Sequence, residues 1–340
     1  HTTSPLALPT GATGLVGNAV ARQLVSRGRP VRALVRSPTR AAALVPPEVE
    51  LVEGDVTDTT SVRSALEGCT RVFHCAGLPE QWLPDPRRFD EVNAGGTRNL
   101  CDAAVEAGVE RFVYTSTIDV FAAAPFETYD ESRLDPAPKG TAYERSKQRA
   151  DRIVVEAMGR GLPAVFLHPA AVYGPGPETS PGINDFAVRL LTGKIPLLLP
   201  GATPLVHASD CADAHLRAEE QADVGARYIL AETTLTLRQI AQMIVVEAGS
   251  GRVPPVLPLP IARAVSEAGE LLAKLVRRPP LIPRGQLHFL QWQARPSSAR
   301  AQQELGWRPR PFEAGLRETL ASLRQVGRLT DGRTSEVRRR

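Results

Sequence analysis

Short apolar runs alternate with longer amphipathic segments through the first half of the chain. The runs predict strands buried on both faces at residues 31–35, 49–52, 70–77, 111–117 and 163–168, after a first strand that ends near Thr10. Between them, helical periodicity predicts helices over residues 15–27, 61–67, 90–107 and 142–160. Strands that alternate with helices pair in parallel through right-handed crossovers, so the pattern predicts an α/β fold with a doubly wound parallel sheet.

The pattern changes after Tyr173, where the chain becomes rich in glycine and proline. Helical periodicity continues at residues 237–248 and 261–275, and a strand-like run at 226–231 is expected to return to the main sheet. We therefore predict a larger domain of residues 1–173 plus about 205–232, and a smaller interleaved domain of residues 174–204 and 233–327. Residues 328–340, with arginines at 333 and 338–340, are expected to form a flexible, solvated tail.

Composition and charge narrow the class of protein. The chain has 340 residues and a formal net charge of +4, without the interleaved aromatic and basic residues that would indicate nucleic-acid binding. Its cysteines, Cys69, Cys75, Cys101 and Cys211, show neither metal-ligand spacing nor a disulfide framework, so we expect buried thiols in a reducing compartment and no metal site. No apolar run is long enough to span a membrane and no secretory signal is visible, which favours a cytoplasmic protein.

Three glycines follow the first predicted strand and open the first predicted helix. Gly11, Gly14 and Gly17 have the spacing G-x-x-G-x-x-G after Thr10. At such a crossover the first glycine allows a tight turn, the second lets the backbone approach a pyrophosphate, and the third lets the helix pack closely on the strand. The motif therefore predicts a dinucleotide site, with a purely structural turn as the alternative.

The end of the second predicted strand indicates which dinucleotide binds. An NAD-binding chain usually has an acidic residue there, whereas this chain has Arg36, followed by Ser37 and Arg40. A guanidinium group pairs with a 2′-phosphate, so NADP (NADPH) is favoured over NAD, and an arginine that only points into water is the alternative. Asp55 and Val56, just past the third strand, are expected beside the adenine, although Asp55 could instead cap the next helix.

Tyr143 and Lys147 lie four residues apart on a predicted helix and therefore share one face. A nearby ammonium group favours the phenolate, so we expect the pKa of Tyr143 to be lowered toward neutrality, as proton transfer to or from a substrate oxygen requires. Such a pair also arises by chance on surface helices. Thr115, Ser116 and Thr117 support the functional interpretation, because they end a buried strand at the sheet edge where ligands bind, although some of these hydroxyls would only close turns.

Several motifs occur together in the order found in one enzyme family. They are TGATGLVG, GDVTD, HCAG, VNAGGTRNL, YTSTIDVF, YERSK, HPAAVYGPGP and VHASDCADAH, over roughly residues 10–215. In these motifs the chain resembles the extended short-chain dehydrogenases/reductases, which include NAD(P)-dependent epimerase/dehydratase-like enzymes built on a Rossmann domain. It looks most like the branch of dihydroflavonol reductases, 3β-hydroxysteroid dehydrogenases and hopanoid-associated epimerase-like proteins.

The resemblance implies a role for each matching residue. Tyr143 would be the general acid/base, Lys147 would bind the nicotinamide ribose and lower the tyrosine pKa, and Thr117 would polarise the substrate carbonyl. Ser116 could share that task, and Asn93 would be the family's supporting asparagine, with a helix-surface amide as the alternative. The cofactor would be held by Gly11, Thr13, Gly14, Leu15, Val16 and Gly17 at the pyrophosphate, Arg36 at the 2′-phosphate, Asp55, Val56, Cys75, Ala76 and Gly77 on the adenosine side, and Thr115, Ser116, Tyr143, Lys147, Pro169 and Val172 toward the nicotinamide.

Departures from the family pattern bear on the substrate. Nucleotide-sugar members usually read VYG after the hydroxyl strand and carry an arginine before the V-x-D segment, whereas this chain reads VFAAAP and has Pro204 and Leu205 there. A diphosphate without its cation would bind poorly, which favours an uncharged or lightly charged carbonyl compound. His168 stands where many relatives have an arginine. Five apolar residues could line the cleft, although each could equally be a core residue: Trp82, Leu83, Phe121, Phe126 and Phe186.

The sequence thus favours an NADPH-dependent oxidoreductase that reduces a ketone or aldehyde of a medium-sized, fairly apolar small molecule to an alcohol, or the reverse. The larger domain would be the dinucleotide-binding Rossmann domain, and the smaller domain would bind the substrate. A sugar epimerase or dehydratase is the nearest alternative enzyme, and a non-catalytic NADP-binding sensor or scaffold is an alternative of another class. Relatives often form homodimers through the helices corresponding to residues 90–107 and 142–160, which would allow a homodimer here.

Overall fold

Strands and helices alternate along the part of the chain that the computed structural model describes, residues 5–177 and 182–329. The strands are β1 (Ala7–Thr10), β2 (Arg32–Val35), β3 (Glu50–Glu53), β4 (Arg71–His74), β5 (Arg111–Thr115), β6 (Thr128–Tyr129), β7 (Ala164–Pro169), β8 (Ala171–Tyr173), β9 (Ala202–His207), β10 (Arg227–Leu230), β11 (Thr233–Thr236) and β12 (Arg295–Pro296). The helices are α1 (Leu15–Ser26), α2 (Pro38–Ala41), α3 (Thr59–Leu66), α4 (Arg87–Phe89), α5 (Gly96–Ala107), α6 (Ala142–Met158), α7 (Ile183–Leu191), α8 (Ala208–Gln221), α9 (Leu237–Ala248), α10 (Leu259–Val276), α11 (Arg284–Trp292), α12 (Ala299–Glu304) and α13 (Phe312–Gln325).

Seven parallel strands form the main sheet, in the order β10-β7-β5-β4-β1-β2-β3. The order of connection reverses between β1 and β4, and the carboxyl ends of these two strands therefore border the crevice in which doubly wound sheets bind ligands. The predicted doubly wound sheet is confirmed. Every strand predicted for it is present, including β10, which returns at the edge beside β7.

The predicted helix over residues 90–107 is correct only from Gly96 onward. Before it, a π-helical turn, Asp90–Gly95, joins α4 to α5. The wider turn brings Asn93 into the interior, where it is buried. The predicted helix at residues 237–248 coincides with α9.

Two apolar cores cover the two faces of the main sheet. On one face, α1 and α8 contribute Val20, Leu24, Cys211 and Leu216, which pack with strand residues such as Val113 and Leu167. On the other face, α3, α5 and α6 contribute Val62, Leu100 and Val154, which pack with Leu8, Val72 and Phe112. No helix within the described residues is long and apolar enough to cross a membrane.

A second, three-stranded sheet in the order β11-β9-β8 was not predicted. In it β8 pairs with β9 in parallel and β11 pairs with β9 antiparallel. A third apolar core, with α7, α9 and α13 around this sheet, contains Tyr173, Leu205, Ile240 and Leu316. Because β9 spans the predicted domain boundary at residue 205, the division into two domains stays a prediction. Most of the predicted tail, including its arginines at 333 and 338–340, lies outside the described residues.

Candidate active site

The glycine-rich loop between β1 and α1 packs closely against the end of β4. Gly11 has a φ of +69°, and a Cβ atom there would lie 2.8 Å from the backbone nitrogen of Ala76, so only glycine fits. A Cβ atom on Gly17 would lie 2.3 Å from the carbonyl oxygen of Gly11. Gly14 is the N-cap of α1 and provides no side-chain cap. The first N–H groups of α1 are therefore available to a phosphate, and this loop fits the diphosphate of a dinucleotide.

The residues predicted on the adenosine side lie at the ends of β2, β3 and β4. Arg36 is exposed directly after β2. Asp55 accepts hydrogen bonds from the backbone nitrogen and hydroxyl of Thr57, at 2.9 and 2.8 Å. The cap of α3 is Asp58, so the alternative in which Asp55 caps this helix is wrong. Val56 is buried against α5.

Asn93 links the loop after β4 to α6. Its Oδ1 accepts a hydrogen bond from the backbone nitrogen of Leu78 at 2.7 Å, and its Nδ2 donates to the hydroxyl of Ser146 at 3.0 Å. A Cβ atom on Gly77 would lie 3.2 Å from the same Oδ1, so the loop runs close to this amide. Asn93 is only 2% exposed, and the alternative of a surface amide is therefore wrong.

The side chains of Tyr143 and Thr117 meet at the carboxyl edge of the main sheet. Tyr143 stands in the first turn of α6, which a capping box between Thr141 and Glu144 fixes in place. Its hydroxyl is a neighbour of the Thr117 hydroxyl, which acts to lower the pKa of the phenol. Thr117 in turn donates to Oδ2 of Asp119 at 2.9 Å. Asp119 is a buried carboxyl group that the sequence analysis did not identify.

The environment of Tyr143 reverses the predicted direction of its pKa shift. Burial and the neighbouring Asp119 carboxylate raise the pKa of Tyr143, whereas the sequence predicted a lowering by Lys147. The reason is that the phenolate would lose its hydration and face a negative charge. Burial and the charge of Glu144 raise the pKa of Asp119 to about 7. Tyr143 therefore holds its proton at neutral pH, and Asp119 titrates there.

Lys147 lies one helical turn after Tyr143, on the same face of α6. Its Nζ donates to the carbonyl oxygen of Thr115 at 2.9 Å and lies 5.1 Å from the centroid of the Tyr114 ring. Burial lowers the pKa of Lys147 to about 8. The Thr115 hydroxyl lies 2.8 Å from Nε2 of His215 on α8. The backbone of Thr115 therefore contacts α6, and its side chain contacts α8.

Ser116 belongs to a buried ion-pair network under the site. Its hydroxyl donates to Oδ1 of Asp151 at 2.6 Å, and Arg227 on β10 donates to Oδ2 of Asp151 at 2.5 Å. Arg227 also donates to Nε2 of His168 at 3.2 Å, and the Nδ1 of that imidazole lies 3.1 Å from the carbonyl oxygen of Thr117. Ser116 thus faces Asp151, and Thr117 is the hydroxyl beside Tyr143. His168, whose role the sequence left open, fixes the backbone of Thr117.

A cavity of about 860 Å³ opens at Tyr143. Its walls come from residues 81–89, from residues 140–143, and from α10 and α11. Trp82 and Leu83 line it as predicted. The other three predicted lining residues lie elsewhere: Phe121 in the core, Phe126 exposed, and Phe186 packed on the third apolar core. Pro204 and Leu205, at the position of the arginine in nucleotide-sugar enzymes, are buried in β9.

Charged residues also line the cavity, and the sequence analysis did not identify them. They are Arg263, Glu267, Glu270, Arg277, Arg284 and His288. His288 pairs with Glu144, with 3.6 Å between Nε2 and Oε1, and this contact raises the pKa of His288. These residues lie far along the chain from Tyr143, so no local pattern connects them with it.

The chain is similar to known proteins over most of its length. The model of the NAD dependent epimerase/dehydratase family matches residues 7–231. The sterol demethylase protein B of Methylococcus capsulatus is 31% identical over 323 residues, which cover 94% of this chain and 98% of that protein. The 4-hydroxy-2-methyl-3-oxo-4-farnesyl-3,4-dihydroquinoline-1-oxide ketoreductase of Stigmatella aurantiaca is 28% identical over 335 residues, covering 94% and 95%. The crystal structure of gox2253 superposes with a TM-score of 0.81 at 31% identity, covering 96% of this chain and 99% of that one.

Proposed function

The chain belongs to the NAD dependent epimerase/dehydratase family, and we propose that it is an NADPH-dependent reductase of a medium-sized, fairly apolar ketone or aldehyde. The family match confirms the resemblance to the extended short-chain dehydrogenases/reductases. Relatives of the chain are NAD(P)-dependent dehydrogenases and reductases that act on hydroxyl or keto groups, so the protein is an enzyme of this kind. The preference for NADPH, the reductive direction and the apolar substrate are the proposed parts.

One observation above all supports the proposal: Tyr143 lines the cavity, and the buried Thr117 hydroxyl lies next to its phenol. They also lie at the carboxyl edge of the sheet that carries the glycine-rich loop, where doubly wound sheets hold dinucleotides. A carbonyl group in the cavity would therefore meet a phenolic proton close to the cofactor.

A bound nicotinamide would supply the hydride that reduces the carbonyl carbon. Tyr143 would donate its phenolic proton to the carbonyl oxygen, and its raised pKa favours this direction because the phenol is protonated at neutral pH. Thr117 would hold the same oxygen by a hydrogen bond. Lys147, which points its ammonium group to the end of β5, would bind the ribose hydroxyls.

Arg36 supports NADPH over NADH. It is exposed at the end of β2, where an NAD-binding chain usually has a carboxylate. A guanidinium group forms charge-assisted hydrogen bonds with a 2′-phosphate, and its electrostatic attraction would be absent for NADH.

The apolar part of the cavity wall supports a substrate with a large apolar part. Trp82, Leu83, Phe89 and Leu287 present apolar surface to the cavity, whose volume suits a small organic molecule. No cation is available at residues 204 and 205 to hold a sugar nucleotide diphosphate. The two relatives named above carry names that refer to a sterol and to a farnesylated quinoline ketone, both of which are ring compounds with large apolar parts.

A spectrophotometric screen tests the proposal. The protein is mixed with aldehydes, ketones and alcohols, with NADPH and NADH side by side, and the nicotinamide absorbance is followed. At least one apolar carbonyl compound should oxidise NADPH. Tyr143→Phe should lower kcat by about 10²- to 10⁴-fold while NADPH still binds, because only the proton donor is lost.

The matched control is Tyr228→Phe, which removes a hydroxyl that donates to Glu304 on α12 and should leave turnover intact. Full turnover in Tyr143→Phe would overturn the assigned role of the phenol. Isolation of the protein with tightly bound oxidised cofactor and no net redox turnover would favour an epimerase or dehydratase instead.

We also propose that the second unit of the chain, residues 174–204 and 233–327, binds the substrate, while residues 1–173 and about 205–232 bind the dinucleotide. The position of α10 and α11 in the cavity wall supports this division. A homodimer paired through α5 and α6 is proposed from the family resemblance alone, and light scattering after size exclusion measures it.

A further inference from the structure

An apolar stripe runs along the exposed side of α10. Its exposed residues recur at spacings of three or four and therefore share one face: Ile261, Ala264, Ala268, Leu271, Leu272 and Val276. Leu281, 84% exposed, extends this face, because a Cβ atom on Gly269 would lie only 3.3 Å from the Pro280 side chain, which places that loop against the helix. We call these seven residues the α10 stripe.

The α10 stripe faces away from the protein's own core. The side of α10 that packs inward has small buried residues, Ala262, Ser266 and Ala273. A surface helix normally turns polar residues outward, and a continuous exposed apolar patch marks a docking surface. Other exposed large apolar side chains in the described residues lie elsewhere, for example Val246 on α9 and Val326 directly after α13.

Arginines border the α10 stripe at its C-terminal end. Arg277 and Arg278 follow the end of α10, and both are exposed. If two copies of the chain paired through this face with their α10 helices parallel, these arginine-bearing ends would come together, which is unfavourable. Anionic lipid head groups complement these arginines, and the outer acyl region accepts leucine side chains.

We propose that the α10 stripe docks the protein onto an anionic lipid bilayer. The other side of α10 lines the cavity at Tyr143, through Arg263, Ser266 and Glu270 among others. Docking would therefore bring the cavity close to the bilayer, so that a lipid-dissolved substrate could enter without crossing water. Docking itself is independent of catalysis, whereas this consequence for the substrate rests on the proposed function.

Co-sedimentation of the full chain with vesicles tests the docking. The vesicles are phosphatidylcholine alone or phosphatidylcholine with about 30% phosphatidylserine, and the protein should sediment mainly with the latter and less at high salt. Leu271→Glu combined with Leu272→Glu should lower the bound fraction about tenfold. Val246→Glu, a change at a residue 79% exposed on α9, is the matched control and should bind like wild type.

Arg278→Gln should weaken binding to the phosphatidylserine vesicles without affecting the thermal melting temperature. Equal sedimentation of wild type and the double glutamate variant would overturn the proposal. A wild-type dimer in light scattering that this variant converts to a monomer would overturn it too, because the stripe would then join two copies. Tyr143→Phe should bind vesicles like wild type. Vesicle binding by a protein that reduces no carbonyl compound would support the docking and overturn only the proposed function.

Discussion

At the scale of single residues, the charge of Asp119 acts on the pKa values of Tyr143 and Lys147 in the candidate site. Asp119 stands in a 3-10 turn two residues after Thr117, and it is 5% exposed. Burial and the charge of Glu144 raise its pKa to about 7, while the Thr117 hydrogen bond and the charges of Lys139 and His288 act in the opposite direction. The same carboxylate helps to raise the pKa of Tyr143. Burial of the phenol and the Asp119 carboxyl group thus act together to keep Tyr143 protonated.

Asp119→Asn should remove a pH dependence of stability. The ordinary pKa of the carboxyl is 3.8, so above that pH the unfolded chain ionises Asp119, whereas the folded protein keeps the proton up to about pH 7. The free energy of unfolding of wild type should therefore fall by roughly 2–3 kcal/mol more than that of the variant between about pH 5 and about pH 8. Urea unfolding at both pH values measures this difference.

The control for this measurement is Asp223→Asn, at an exposed carboxylate, which should show the pH dependence of wild type. If the free energy of unfolding changed with pH in the same way for wild type and Asp119→Asn, then Asp119 would ionise like an ordinary surface carboxyl group.

At the scale of elements, one buried ion pair joins α6 to the main sheet. Arg227 on β10 and Asp151 on α6 have side chains only 12% and 7% exposed. The guanidinium carbon of Arg227 lies 3.9 Å from the centroid of the Phe166 ring, on β7. Because α6 also carries Tyr143 and Lys147, this pair holds the candidate catalytic helix against the strands.

Arg227→Met should destabilise the fold by about 3–5 kcal/mol, because it leaves the Asp151 carboxylate buried without its partner. Adding Asp151→Asn should recover much of this loss. Arg98→Met is the control, since Arg98 and Glu156 form an exposed pair between α5 and α6 that should contribute less than about 1 kcal/mol. Urea unfolding of the four proteins measures the differences. If Arg227→Met and Arg98→Met lowered the free energy of unfolding equally, burial would not increase the cost of losing an ion-pair partner.

Local pattern explains which elements the sequence could predict. The main-sheet strands other than β3 are mostly buried apolar runs, whereas β3 lies at the sheet edge with two exposed glutamates, so the predicted burial of that strand on both faces is wrong. The convergence of Tyr143 and Thr117 follows from one helix start and one strand end at the same sheet edge. The second sheet escaped prediction because β8 has three residues and β9 contains Pro204, so neither shows a strand pattern. Arg227 and Asp151 are 76 residues apart, and only the tertiary structure brings them together.

At the scale of the whole molecule, the C-terminal part of the chain packs on α8 and β8, and the loop after β8 reaches the start of α1. The backbone nitrogen and side chain of Arg310 donate to Asp210 at the start of α8, with distances of 2.9 to 3.1 Å. A Cβ atom on Gly315 would lie 2.3 Å from the Tyr173 hydroxyl oxygen, so α13 packs directly on β8. A Cβ atom on Gly176 would lie 2.3 Å from Leu15, so the loop after β8 touches the start of α1. The glycine-rich loop is thus coupled to the rest of the fold.

NADPH should therefore stabilise the whole chain against unfolding, by about 2.7 kcal/mol at roughly 100 times its Kd, and NADH at the same concentration should stabilise it less. Arg36→Ala should lower the affinity for NADPH about tenfold and reduce this difference, because the 2′-phosphate loses its guanidinium partner. Thermal or urea unfolding with each dinucleotide measures both effects. Arg63→Ala, which breaks an exposed pair with Glu106, is the control. Greater stabilisation by NADH would contradict the assignment of Arg36.

The hydrogen of the Thr117 hydroxyl has two possible directions, and Asp119 selects between them. An ionised carboxylate only accepts hydrogen bonds, so Thr117 then turns its hydrogen to Oδ2 of Asp119 and offers the neighbouring Tyr143 hydroxyl a lone pair. A protonated Asp119 can donate instead, which releases the threonine hydrogen toward the phenol oxygen. Since Asp119 titrates near pH 7, both orientations are populated around neutrality. A single threonine can thus present either a donor or an acceptor to the phenol that lines the cavity.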